Sequence, residues 1–159
     1  MGDAGIDFVL AVYHEADEWR VEPLPEELAG DLDGLVDVLR RRPAAHGGLG
    51  LISVDDDFFV AVRVFDDDVR YLLSDVTAAS DWPLARVVLQ RLGLPMPEEE
   101  EQVQPAGDLG IFADFGVPSM TVAAVCDEID WYPEDMIGEL ADQMGFTQEY
   151  EAALDVAEE

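Results

Sequence analysis

The side chains able to do covalent or metal chemistry are few and scattered. Cys126 is the only cysteine. It shares an apolar helical stripe with Val122, Val125 and Ile129, which predicts an inert core thiol rather than a nucleophile. No Gly-x-Ser-x-Gly elbow occurs. His14 and His46 are the only histidines, and both fall in expected loops. His14-Glu15 lacks the second histidine of a His-Glu-x-x-His zinc helix, and one cysteine cannot build a structural zinc cluster. Two triplets, Asp55, Asp56, Asp57 and Asp66, Asp67, Asp68, offer oxygen ligands to calcium or magnesium. Neither has the spaced Asp, Asn, Gly and terminal Glu of an EF-hand loop, so solvated hairpin tips are expected. Residues 46–50, His-Gly-Gly-Leu-Gly, lead into a strand without the lysine and helix of a phosphate loop, and read as a flexible turn. A glycosidase needs two carboxylates across a cleft. With 37 acids in the chain, chance pairs are everywhere and identify nothing. No catalytic residue, cofactor or metal is assigned.

Charge says more than chemistry does. The 37 acids stand against 8 basic residues, giving a formal net charge of -29 in 159 residues. Every basic residue is arginine, and residues 92–159 hold 18 acids and no cation. Such a surface repels nucleic acid and anionic membranes and attracts basic proteins or cations. Two origins compete for it, a high-salt cytoplasm and a dedicated basic partner. The composition is not that of a disordered acidic chain, because 49% of residues are hydrophobic and can build a core. The single cysteine fits a reducing cytoplasm. No basic segment precedes an apolar run at the N-terminus, and no apolar stretch approaches the roughly 18 residues of a membrane span. A cytoplasmic protein is the expectation.

These residues need elements to place them. Residues 6–13 read as a central strand and 19–22 as its hairpin partner, with a polar turn at 14–18. Leu32, Leu35, Val36 and Leu39 mark a helix over 31–42, with Arg40, Arg41 and Arg42 in its last turn and Pro43 as its stop. Residues 49–54, 58–65 and 69–74 form a meander broken by the aspartate triplets. Along 58–65, Phe58, Val60, Val62 and Val64 share one face, and Phe59, Ala61, Arg63 and Phe65 the other. Leu84, Val87, Val88 and Leu92 mark a second helix over 81–92, stopped by Gly93. The expected fold is α+β, a mainly antiparallel sheet in the order β-β-α-β-β-β-α, followed by a C-terminal appendage of short helices. Three regions are expected: a sheet domain at 1–93, an exposed acidic Pro/Glu linker at 94–107 and a helical region at 108–157.

Four stretches carry a family resemblance. They are Gly-Leu-Gly-Leu-Ile-Ser-Val-Asp-Asp-Asp-Phe-Phe-Val-Ala-Val-Arg-Val at 48–64, Tyr-Leu-Leu-Ser-Asp-Val-Thr-Ala-Ala-Ser-Asp-Trp-Pro-Leu-Ala at 71–85, Pro-Ala-Gly-Asp-Leu-Gly-Ile-Phe-Ala-Asp-Phe-Gly at 105–116 and Cys-Asp-Glu-Ile-Asp-Trp-Tyr-Pro-Glu-Asp-Met at 126–136. Together they resemble the actinobacterial tRNA adenosine deaminase-associated proteins, over about residues 6–150. The resemblance implies association with a deaminase and supplies no catalytic residues to carry over. The deaminase's own zinc chemistry needs His-x-Glu and Pro-Cys-x-x-Cys, and neither occurs here.

The resulting expectation is a non-catalytic acidic accessory protein that binds a basic partner, which the resemblance implies is a tRNA adenosine deaminase. It should bind neither nucleic acid nor membrane directly. The alternative is a small-ligand binder or enzyme using a cleft between the sheet and the C-terminal helices. Candidate partner contacts are Asp55, Asp56, Asp57, Asp66, Asp67, Asp68, and the linker run Glu98, Glu99, Glu100, Glu101. Trp131 and Tyr132, ringed by Asp127, Glu128, Asp130, Glu134 and Asp135, are the other candidate, since aromatic anchors among acids suit an arginine-rich surface. Against that stands the favoured expectation that both aromatics pack the C-terminal helices onto the sheet.

Overall fold

Alternation along one strand sets the architecture. In residues Phe58–Phe65, Phe58, Val60, Val62 and Val64 enter one buried cluster, while Phe59 and Ala61 enter another. Side chains of a strand point alternately to opposite faces, so a strand apolar on both parities must lie centrally with both faces covered. The computed structural model, which describes residues 5–41, 47–65, 68–98, 102–128 and 130–157, shows that arrangement.

Among the described residues, six strands form one antiparallel sheet: β1 (Ile6–Glu15), β2 (Glu18–Pro23), β3 (Gly48–Val54), β4 (Phe58–Phe65), β5 (Asp68–Leu73) and β6 (Ala106–Gly107). Their order is β2-β1-β3-β4-β5-β6. Helices α1 (Leu32–Arg40) and α2 (Pro83–Leu92) cover one face. Leu32, Leu35, Val36 and Leu39 of α1 and Leu84, Val88 and Leu89 of α2 meet Val9, Ile52, Val60 and Leu73 there. Asp31 caps α1 by accepting from the Gly34 amide at 3.0 Å. Helices α3 (Ser119–Cys126), α4 (Pro133–Met144) and α5 (Thr147–Ala157) cover the second face. Val122, Ile137, Leu140 and Tyr150 meet Phe8, Leu10, Leu51 and Phe59. The α+β class and the element order agree with the sequence expectation. The C-terminal helices share a core with the sheet and complete a three-layer sandwich.

Several local expectations change. His14 lies in β1, paired with Trp19, and only Ala16 and Asp17 make the hairpin turn. Both have positive φ, 53° and 64°, the geometry that matches the twist of the flanking strands. From Gly48 on, the glycine-rich stretch is strand and not a flexible turn. Gly48 and Gly50 lie in β3, and a Cβ on Gly48 would meet the Leu39 carbonyl oxygen at 2.8 Å. Those glycines let α1 lie close on the sheet. Ala106 and Gly107, at the end of the expected linker, add a short edge strand on β5. His46, Arg42 and Ile129 lie outside the described residues. No helix among the described residues is long and apolar enough to cross a membrane.

Candidate functional site

The first aspartate triplet forms the β3–β4 hairpin tip. Val54 pairs with Phe58, and Asp55 and Asp56 have φ of 50° and 51°. This left-handed pair suits a tight hairpin, and aspartate tolerates it better than most residues. Asp7 on β1 braces the tip: its Oδ2 accepts from the Asp56 amide at 2.9 Å and from Ser53 Oγ at 3.0 Å. Beside the tip, β5 ends at Leu73, and Ser74 and Asp75 follow it. Ser74 Oγ accepts from the Phe59 amide at 2.9 Å. Asp75 caps a short 3-10 helix at Val76–Ser80, accepting from the Thr77 amide at 2.9 Å and Thr77 Oγ1 at 2.6 Å.

The connection between α3 and α4 reaches this same end of the sheet. Asp56, Asp57, Asp75, Asp130, Trp131 and Tyr132 line one cleft of about 230 Å³. The aromatics do not pack helices onto the sheet as favoured above. Trp131 is 37% exposed and Tyr132 60% exposed. The reason is positional: Val122, Val125 and Cys126 fill the inward face of α3, and Met136, Ile137 and Leu140 that of α4. Trp131 and Tyr132 precede α4, outside both stripes, and Tyr132 is held by its amide donating to Asp135 Oδ2 at 3.1 Å.

Among the described residues that line this cleft, every charged side chain is acidic. Burial pushes the Asp57 carboxyl above its ordinary 3.8, Asp75, Asp55 and Asp81 push it further, and a hydrogen bond from Trp82 pulls the other way. Cys126 lies on the inner wall but is 2% exposed, and burial, then Asp127, pushes its thiol up to about 12. It is a core thiol without thiolate character at neutral pH. Among the described residues no group of three or more His, Cys, Asp or Glu is placed to hold a metal ion. Acid oxygens beside aromatic faces are the kind of surroundings that suit a guanidinium or ammonium.

The raised Asp57 carboxyl gives a signed prediction. The folded chain holds this proton more tightly than the unfolded chain does. Its contribution is present below 3.8 and is lost as pH rises through the raised folded value. Asp57→Asn keeps the neutral form at every pH and can still accept from Trp82. Urea unfolding from about pH 4 to about pH 7 should show Asn more stable than Asp at the upper end, by less than about 1 kcal/mol because the carboxylate is still partly solvated, with the gap closing towards the lower end.

Asp68 and Glu98 do not line this cleft. Asp68 sits at the far end of β4, about 25 Å from Asp57 by strand rise, and its Oδ2 accepts from Arg70 Nε at 3.1 Å. Glu98 is exposed. Asp66, Asp67, Glu99, Glu100 and Glu101 lie outside the described residues. Sequence reasoning missed Asp75 as a site residue. Its signal was an Asp two positions before Thr77, directly after a strand, the pattern of a local side-chain cap.

A second cleft, about 320 Å³, lies at the Asp68 end and is lined by Arg63, Phe65, Asp68, Arg70 and Asp114 among others. Arg63 is 7% exposed. Its NH1 donates to the Ile111 carbonyl at 2.8 Å and to Asp114 Oδ1, its NH2 donates to Asp114 Oδ2 at 2.6 Å, and its Cζ lies 4.2 Å over the Phe115 ring. Arg70 also donates to Asp108 at 3.4 Å. These cations are compensated from within the chain, and the Arg63 pair pins the segment before α3 to the sheet.

Comparison with known proteins agrees with this reading of the motifs. No solved structure matches the chain significantly. Protein Rv3753c of Mycobacterium tuberculosis (strain ATCC 25618 / H37Rv) is 37% identical over 151 residues, covering 93% of this chain and 87% of that protein. The family model described as Rv3753c-like tRNA adenosine deaminase-associated protein matches residues 7–147, which include every residue of the acid-rimmed cleft. The chain belongs to the Rv3753c-like tRNA adenosine deaminase-associated protein family.

Proposed function

We propose that this chain is a non-catalytic accessory protein that binds a basic surface of a tRNA adenosine deaminase in the cytoplasm. The observation that carries the reading is the convergence of Asp56, Asp57, Asp75 and Asp130, from separate chain segments, on one cleft with the exposed Trp131 and Tyr132. The family description supports the choice of partner. An enzyme that handles RNA carries basic surface for phosphates. A chain of net charge -29 is drawn to that surface and repelled by the RNA itself. The acids steer the encounter, the aromatics anchor it, and tRNA does not bind directly.

Titration of the purified deaminase of the same organism against this protein tests the reading. Binding is expected at about 50 mM salt and should weaken about tenfold at about 300 mM, because screening shortens the reach of the charges. No binding at either salt would remove the deaminase as partner. Tight binding of tRNA alone would overturn the electrostatic argument.

A further inference from the structure

Trp131 belongs to two hollows. Besides the acid-rimmed cleft, it borders an open hollow of about 400 Å³ between α3 and α4, with Met120, Ala124, Glu128 and Glu139. Met120 is 84% exposed, unusual for a side chain with no polar atom beyond a thioether. Val103, Tyr132 and Trp131 line the cleft, so four of the eight exposed large hydrophobics among the described residues border these two adjoining hollows. Contiguous exposed apolar surface of this kind marks an interaction site. The ionisable groups along both hollows, Glu128 and Glu139 on one side of Trp131 and Asp56, Asp57, Asp75 and Asp130 on the other, are acidic.

The occupant follows from that chemistry. A second copy would bring acids against acids at net charge -29, and anionic lipid or nucleic acid would be repelled. A plain polycation would satisfy the acids and leave Met120 and Trp131 in water. We infer that the two hollows form one groove for an amphipathic basic segment of a protein partner, which sets an apolar side chain against Met120, Ala124 and Trp131 and an arginine or lysine in the cleft beyond Trp131. This rests on the reading above that the partner is basic, and it adds that charge alone does not suffice. Apolar anchors surrounded by polar rim contacts carry most of the affinity at interfaces.

Three short synthetic peptides test it by calorimetry: one with arginines and leucines on one face, one with serines for the leucines, and one with glutamines for the arginines. The first should bind, and each of the others at least about tenfold more weakly. Met120→Glu and Trp131→Ala, both at exposed positions, should abolish the preference for leucine over serine. Glu26→Gln with Glu27→Gln, beside the opposite layer, should leave it intact. Equal binding of the serine peptide, an unchanged preference in Met120→Glu, or no binding by any peptide would overturn the groove. If the peptide pattern holds and the deaminase does not bind, the partner is wrong and the groove stands. If the deaminase binds in the expected salt-dependent way and the peptide pattern fails, the reverse is true.

Discussion

Asp114→Ala will destabilise the fold by about 2 kcal/mol, and Arg63→Met will cost within about 1 kcal/mol. The asymmetry comes from where the charges sit. The Arg63 side chain is 8% exposed and that of Asp114 54%. Removing the carboxylate strips a nearly dry guanidinium of its two-pronged acceptor, leaving the Ile111 carbonyl and the Phe115 ring among its partners. Removing the guanidinium instead returns the already half-exposed Asp114 to water and takes one donor from the Ile111 carbonyl, while methionine fills the stem volume among apolar neighbours. Water entering the half-exposed space that Asp114 leaves recovers part of the first cost, which places it below the range for a fully buried pair. The net charge runs the other way. At -29, losing an acid should relieve repulsion and losing a cation should worsen it. Denaturant unfolding followed by circular dichroism therefore separates two causes. If Arg63→Met proves the more damaging variant, general repulsion outweighs this pair and the clamp on the segment before α3 is not what holds it.

Trp131→Ala will weaken binding to the deaminase about 30-fold, or about 2 kcal/mol, chiefly through faster dissociation. Trp131 lines both hollows, so its loss removes the wall they share. It is 37% exposed and lies outside the apolar stripes of α3 and α4, so the fold should survive its removal. Changing Asp56, Asp57 and Asp130 together to asparagine should act differently. Association should slow and the salt dependence flatten, while dissociation changes less, because rim charges act mainly on the encounter. Surface plasmon resonance at two salt concentrations resolves the two rates. Equal effects on both rates from both sets of substitutions would mean that the cleft does not divide anchoring from steering, and unchanged binding in Trp131→Ala would move the interface elsewhere.

Much of the framework is legible in the chain because burial leaves a periodic trace. Leu32, Leu35, Val36 and Leu39 recur at helical spacing and are the buried residues of α1. The two parities of β4 enter two different clusters. Pro133 and Gly145 bracket α4, and the left-handed Gly145, at φ 99°, ends it. Misreadings fall where local signals are ambiguous. Ala106 and Gly107 carry no strand pattern, and only the exposed edge of β5 makes them one. Gly48 and Gly50 read as flexibility in isolation, yet the cause of their small size is a helix one layer away. Trp131 and Tyr132 looked like core residues from composition. Their exposure follows from α3 and α4 having already filled the space beneath them.

The charge and the alternating and helical stripes belong to the sequence alone, because each is a count or a local period that no folding can alter. Which acids lie together belongs to the tertiary structure. Asp57 and Asp68 belong to triplets that look equivalent along the chain, but β4 separates these two residues to opposite ends of the sheet. Asp57, Asp75 and Asp130 are far apart in sequence, and a hairpin tip, a strand end and the connection before α4 bring them to one cleft. Arg63 meets Asp114 across 51 positions only because Arg63 faces the layer that the C-terminal segment builds. Proximity between distant segments is set by which apolar faces bury each other, and the acids at the rim are carried to their places by that burial.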